Sequence, residues 1–256
     1  MINRILTWLV DGAHWKGGDG ILRRVAEHMG YSVMALLIAA MIAIPLGLYI
    51  GHTGHGRYLV VNVVGAARAI PSLGLLFLAV LWLGPKFRGE IALLAPTGVV
   101  LVVLAIPPIL SGAYAGVEGV DPAARDAAKG MGMRGPEVLR QVEFPCALPL
   151  ILSGVRSAML QVIGTATIAA VMGLGGLGRF LIDGLAVRDT PQTASGAVLV
   201  AVLALAVDMG LALVQRSVVS RGLTGRYGKV TLIDTDTDTD NDTGLDPTAR
   251  ALQHSV

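Results

Sequence analysis

Apolar runs recur along this chain, each long enough to cross a bilayer, and they constrain its fold more than any other feature. Residues 29–51, MGYSVMALLIAAMIAIPLGLYIG, carry no charge. About 20 apolar residues in a helix cross ~30 Å of hydrocarbon. Further apolar runs are read at 58–85, 91–114, 147–172 and 191–214. Lipid offers backbone amides no partners, so such runs must be helical or close into a barrel. Composition agrees, with 54% of the 256 residues hydrophobic and only 15% charged. The expectation is an all-α integral membrane protein of about five transmembrane helices, occupying residues 28–224.

Polar and helix-breaking residues punctuate these spans. Pro45 and Gly47 near the end of the first predict a kink or an early exit. The second is interrupted, with Arg68, Pro71, Ser72 and Gly74 within seven residues. An arginine inside a span usually faces protein or a water-filled path. Two readings follow. Either Arg68, Pro71 and Ser72 line a pathway, or the span starts later and Arg68 sits near its end. Pro107-Pro108 is expected to bend or end the third helix. Gln161, Thr165 and Thr167 read as hydrogen-bonding glue between helices. Asp208 in the fifth span needs a partner, and Arg156 in the fourth is nearest in depth.

The remaining segments are polar. Residues 1–27 read as an interfacial segment, with Trp8 and Trp15 at headgroup level, or as a loosely ordered terminus. Residues 173–190 read as a connection. After the basic Arg216, Arg221, Arg226 and Lys229, the stretch 231–256 reads as a disordered acidic tail. Its alternating Asp lack the Gly and Glu that a calcium loop needs. One cysteine, Cys146, excludes an intramolecular disulfide, and the five His do not cluster with it into a metal site. The net charge of +2 gives no reason to expect nucleic acid. Two GxGxxG matches, at 130–135 and 173–178, lie outside any strand–helix context, and no P-loop or catalytic constellation is present. No cofactor and no enzymatic activity are expected.

The polar insert at 115–146 is the most informative stretch. Asp121 suits a helix N-cap and Pro122 the first helical position. Ala124, Ala127, Ala128 and Met131 follow at helical spacing, and Gly130 and Gly132 stop the helix. Within it stand Asp126-Ala127-Ala128, three residues, Gly132, nine residues, Val142, Glu143 and Phe144-Pro145. This spacing resembles, without a gap, the cytoplasmic coupling loop of permease subunits in binding-protein-dependent ABC importers. The departures are Asp for Glu at 126 and Phe for Leu at 144.

The resemblance covers about residues 28–224. Pro45-Leu46-Gly47 and Ala69-Ile70-Pro71-Ser72-Leu73-Gly74-Leu75-Leu76 are similar to segments of permeases for quaternary-amine osmoprotectants: glycine betaine, choline or carnitine. Gly175-Gly176-Leu177-Gly178 resembles a loop shared with methionine permeases, so methionine or another small solute is the alternative cargo. A secondary transporter would want more membrane-embedded acids than Asp208. The resemblance implies the type I importer permease fold and alternating access driven by two cytosolic ATPase subunits. It also implies a second permease subunit and an extracytoplasmic solute-binding protein. Asp126, Ala127, Ala128, Gly132, Val142 and Pro145 would form the coupling element. A bacterial inner (plasma) membrane location follows, with the N-terminus outside and the C-terminus cytoplasmic. Counting Lys and Arg gives nine on the proposed inside and eight outside, too even to orient the chain.

Overall fold

The computed structural model describes residues 1–219. Arg221, Arg226, Lys229 and the 231–256 tail lie outside the described residues, as do several α3 side chains, Arg68 among them. Every regular element described is helical. Four helices are long and apolar enough to cross a membrane, and a shorter apolar helix follows a broken segment.

Helix α1 (Ile2–Val10) is followed by a 3-10 turn and then by α2 (Ile21–Thr53). The proposed boundary at residue 27 therefore falls inside a helix. Arg23 and Arg24 pair with Glu27 at 3.1 and 2.9 Å, one helical turn away, so these charges stabilise the first turns rather than ending the helix. The N-terminal segment is ordered against the bundle. Trp8 stacks on His14 at 4.1 Å and meets Phe180 edge-on at 5.5 Å, while Trp15 Nε1 donates to the Leu9 carbonyl at 2.7 Å.

The second span is two helices, α3 (Arg57–Ala69) and α4 (Ser72–Leu83). Ile70 and Pro71 between them are extended, with ψ of 121° and 114°. Twelve residues of α4 reach only ~18 Å, so the fifth crossing needs both pieces. The third helix corrects an expectation. Helix α5 (Ile91–Glu118) runs unbroken through Pro96, Pro107 and Pro108. Close packing on both sides holds it where proline alone would bend it.

Past the short helices α6 (Pro122–Gly130) and α7 (Gly135–Val138), a π-type turn at Leu139–Glu143 leads directly into α8 (Phe144–Ala169). The helical path thus starts at Gly135, well before the apolar run at 147. Pro145 sits in the first turn of α8, where its missing N–H costs nothing. The 173–190 connection holds a further helix, α9 (Gly178–Ala186), before α10 (Thr190–Val218).

Helix α5 lies between α2 and α8 and packs along both. Ala35, Ala39, Ala43 and Gly47 recur every fourth residue on α2 and are buried; Gly51 continues the row. They face Leu101, Ala105, Ile109, Ala113 and Val117 on α5. Methyl groups on Gly47 and Gly51 would stand 2.6 and 2.7 Å from the Cβ atoms of Ala113 and Val117. On the other side, Gly112 and Gly154 bring α5 and α8 together. A Cβ on Gly154 would lie 2.6 Å from the Pro108 carbonyl oxygen. Small residues let backbones approach, which is how helices gain packing where lipid gives no hydrophobic drive.

Candidate functional site

Four helix termini meet at the pole that carries the 115–146 segment. Arg57 at the start of α3 pairs with Glu118 at the end of α5 over 3.1 Å. His52 at the end of α2 reaches Glu143 at the mouth of α8. The opposite pole joins the first turns of α2 to the loop before α9, where Gly176 N–H donates to Glu27 Oε2 at 3.0 Å. Gly176 sits there at φ 91°, against His28, in a left-handed turn that a side chain would strain.

Local chemistry builds the 115–146 segment as its sequence predicts. Asp121 accepts a hydrogen bond from Ala123 N–H at 2.9 Å and Pro122 opens α6. Gly132, at φ 87°, makes the left-handed turn after it. Glu137 then accepts from Arg134 N–H at 2.7 Å to start α7.

The six motif residues divide by exposure. Asp126, Ala127 and Gly132 face solvent. Met131, 72% exposed beside them, adds an apolar knob outside the apolar spans. Ala128 corrects the expectation of a partner contact: it is 1% exposed, on the side of α6 that meets α7 and the π-type turn. Val142 and Pro145 are half-buried at the root of α8.

Sequence reasoning passed over Glu143, which stands inside the motif. It is 2% exposed. His52 Nδ1 donates to its Oε2 at 2.6 Å, and Arg125 Nε lies 2.9 Å from its Oε1. Arg125 Nη2 also donates to the Val117 carbonyl at the end of α5. The available signal was a lone acid placed immediately before an apolar run, which must find partners or stay in water.

A second polar feature lies among α3, α5 and α8. A groove of about 410 Å³ is bordered by Val64, Pro107 and Ser111, and by Ser153, Ser157 and Gln161. The last three recur every fourth residue on α8 and are exposed. Hydroxyl and amide groups on a membrane helix face protein or water in preference to lipid. A larger cavity of about 630 Å³ between α2 and α5 is walled by side chains such as Met34, Ile38 and Val99, and offers a polar solute almost nothing to bond.

Among the described residues, Pro71 and Ser72 do not border the polar groove. Pro71 N-caps α4 and Ser72 begins it. Two threonines also depart from expectation. Thr165 and Thr167 donate to the Gln161 and Ile163 carbonyls of their own helix, both at 2.9 Å, and so do not bridge helices. The anticipated pair does form. Arg156 Nη2 lies 2.8 Å from both Asp208 carboxylate oxygens, Nη1 donates to Gln215 Oε1 at 3.2 Å, and Gln215 Nε2 donates to the Pro149 carbonyl at 3.0 Å. This network fastens α10 to α8.

Known proteins share this arrangement. Residues 43–221 match the family described as binding-protein-dependent transport system inner membrane component. The chain is 34% identical over 224 residues to the glycine betaine/carnitine/choline transport system permease protein OpuCB of Bacillus subtilis, covering 88% of this chain and 98% of that one. It is 34% identical to the osmoprotectant import permease protein OsmW of Salmonella typhimurium, over 77% of this chain and 91% of that one. An inward-facing structure of the MetNI methionine ABC transporter superposes with a TM-score of 0.66 at 22% identity, over 78% of this chain and 96% of that one. That likeness establishes the type I importer permease fold. The chain is a multi-pass, non-catalytic permease subunit and belongs to the family of inner membrane components of binding-protein-dependent transport systems.

Proposed function

We propose that this permease imports a quaternary-amine osmoprotectant: glycine betaine, choline or carnitine. The observation that carries the cargo class is the similarity to OpuCB, which extends over nearly the whole of that relative. The chain acts in the inner (plasma) membrane of a bacterium, with its N-terminus outside and its C-terminus in the cytoplasm. Two permease subunits, identical or closely related, enclose the path. A solute-binding protein delivers cargo from outside, and two ATPase subunits work on the cytoplasmic side.

Asp126, Ala127 and Gly132, with Met131, form the surface that docks on the ATPase. Ala128, Val142 and Pro145 hold that surface in shape. Closure of the ATPases on ATP moves α6, and the permeases rock between outward-open and inward-open states. Solute passes along the groove bordered by Ser111, Ser153, Ser157 and Gln161. Hydroxyls and one amide bind a zwitterion or cation weakly enough to release it, as a conducting path requires. Arg68, Pro71 and Ser72, at the break between α3 and α4, are assigned to a stretch of the path separate from that groove.

Uptake of radiolabelled glycine betaine and choline tests this reading, in vesicles holding the chain with its ATPase and binding protein. ATP-dependent accumulation that requires the binding protein is expected. Accumulation of methionine instead would replace the cargo class, and accumulation without an ATPase would overturn the importer mechanism.

A further inference from the structure

We infer that Glu143 is a positioning residue that makes the coupling helix α6 move as one body with the membrane helices. The inference rests on the reading of 122–145 as the ATPase-docking element and assigns the residue that transmits its motion.

The argument begins with stiffness. Helix α6 is joined to α5 through Gly119, Val120 and Asp121, and to α7 through a turn containing Gly132 at φ 87°. Glycine-containing joints bend easily. A push on α6 alone would be absorbed there, and the membrane helices would stay where they are. The membrane side is rigid by contrast, because α2, α5 and α8 touch through backbone and small residues.

A buried carboxylate bridges the soft joints. Glu143 closes the π-type turn at the root of α8. One oxygen, Oε1, lies 2.9 Å from Arg125 Nε of α6, and the other, Oε2, accepts from His52 Nδ1 of α2 at 2.6 Å. Arg125 reaches further, donating through Nη2 to the Val117 carbonyl of α5. One side chain and its direct partners thus join α6 to all three helices of the packed core. A carboxylate taken out of water is expensive unless it is compensated; Oε2 has its hydrogen bond and Oε1 has the Arg125 guanidinium against it as an ion pair without a hydrogen bond, so separating the charges is costly. Exposed ion pairs, such as Arg57–Glu118, are exchanged for water far more cheaply.

The test uses the complete importer, permease with ATPase and binding protein, in proteoliposomes. Uptake of radiolabelled glycine betaine and ATP hydrolysis are measured together, with choline, carnitine and methionine as alternative labels. Glu143→Gln keeps the shape and removes the charge. The expected result is normal recovery of the assembled complex and ATP hydrolysis within about twofold of wild type, with uptake per ATP lowered about tenfold. Arg125→Lys, which preserves the cation, should retain most of the wild-type ratio. An unchanged ratio in Glu143→Gln overturns the inference, as does a parallel loss of hydrolysis and uptake, which marks a purely structural role. Should Glu143→Gln fail to assemble, Arg125→Gln decides by the same ratio, since that partner is partly exposed. Gly132→Asp separates the two layers of argument. Normal uptake in that variant sinks the docking assignment itself. Loss of uptake there, beside an unchanged ratio in Glu143→Gln, removes only the role given to Glu143.

Discussion

The membrane core and the coupling pole are held together by opposite means. Between α2, α5 and α8, cohesion comes from side chains that are missing: Gly47, Gly51, Gly112, Gly116 and Gly154 let backbones touch. At the coupling pole it comes from side chains with charge: Arg125, Glu143, His52, Arg57 and Glu118. The difference follows from the surroundings. In lipid, burying a methyl group brings no hydrophobic gain, so contact distance and dispersion decide. Near water, exposed pairs such as Arg57–Glu118 exchange readily, while the buried contacts of Glu143 do not. One region is held by contact distance, the other by charge.

The largest expected effect breaks the core. Gly154→Leu places a branched side chain where even a Cβ would lie 2.6 Å from a backbone oxygen on α5. Overpacking of this kind costs about 3 kcal/mol, and here only backbone movement can relieve it. The folded, monodisperse protein should be lost on detergent extraction. Gly164→Leu on the same helix should be tolerated, because nothing lies within 4 Å of the added carbon. Equal yields for the two variants would contradict the account of the core.

Gly132→Asp comes next and acts at the other pole. The residue sits at φ 87°, where a side chain is strained by about 1 kcal/mol, but the space around it is open and the strain is confined to one turn, so the chain should still insert and fold. Transport should be abolished, and co-purification of the ATPase should fall sharply. Wild-type uptake would remove the docking assignment.

How far the sequence foretold this structure depends on whether a feature is local. The apolar runs, the Asp121 cap, the Gly132 turn and the break at Pro71 are each set within a few residues, and all are where the pattern puts them. The Arg156–Asp208 contact was reachable because two opposite charges at matching depth have few alternatives. What escaped was relational. Pro107 and Pro108 looked like helix breakers because their neighbours on α8 were not in view. Glycines spaced by four at 47–51 and 112–116 carried a legible packing signal that was passed over. Ala128 looked like docking surface because spacing does not say which side of a short helix turns inward. Glu143 looked like a spacer because its partners lie 18 residues away in α6 and 91 residues away in α2.

The Arg156–Asp208 pair lies between the two regimes, a charged contact inside an apolar bundle. Arg156 is twelve residues beyond Phe144, about 18 Å along α8, and so stands well inside the span. Asp208→Arg alone should cost on the order of 3 kcal/mol through an unpaired, repelling charge in a span, and should lower the yield of folded protein. Arg156→Asp should do likewise. The double reversal should restore most of that yield. Failure to rescue would show that Gln215 and the Pro149 carbonyl, rather than the ion pair, hold α10 in place.

The smallest expected effect sharpens the comparison by asking where the solute touches the core. Gln161→Leu removes the only amide that borders the groove among the described residues and leaves its buried neighbours, Val162 and Ile163, undisturbed. One hydrogen bond to a passing solute is worth about 1 kcal/mol, so uptake should fall roughly threefold to tenfold. Folding and ATPase association should be unaffected, since the side chain is exposed and makes no hydrogen bond among the described residues. Ser157→Ala should do less, as neighbouring hydroxyls at Ser153 and Ser111 can substitute for it. The two together should lower uptake more than either alone. A groove that tolerated both, while Pro71→Ala at the α3–α4 break abolished uptake, would move the path from the α8 serines to that break.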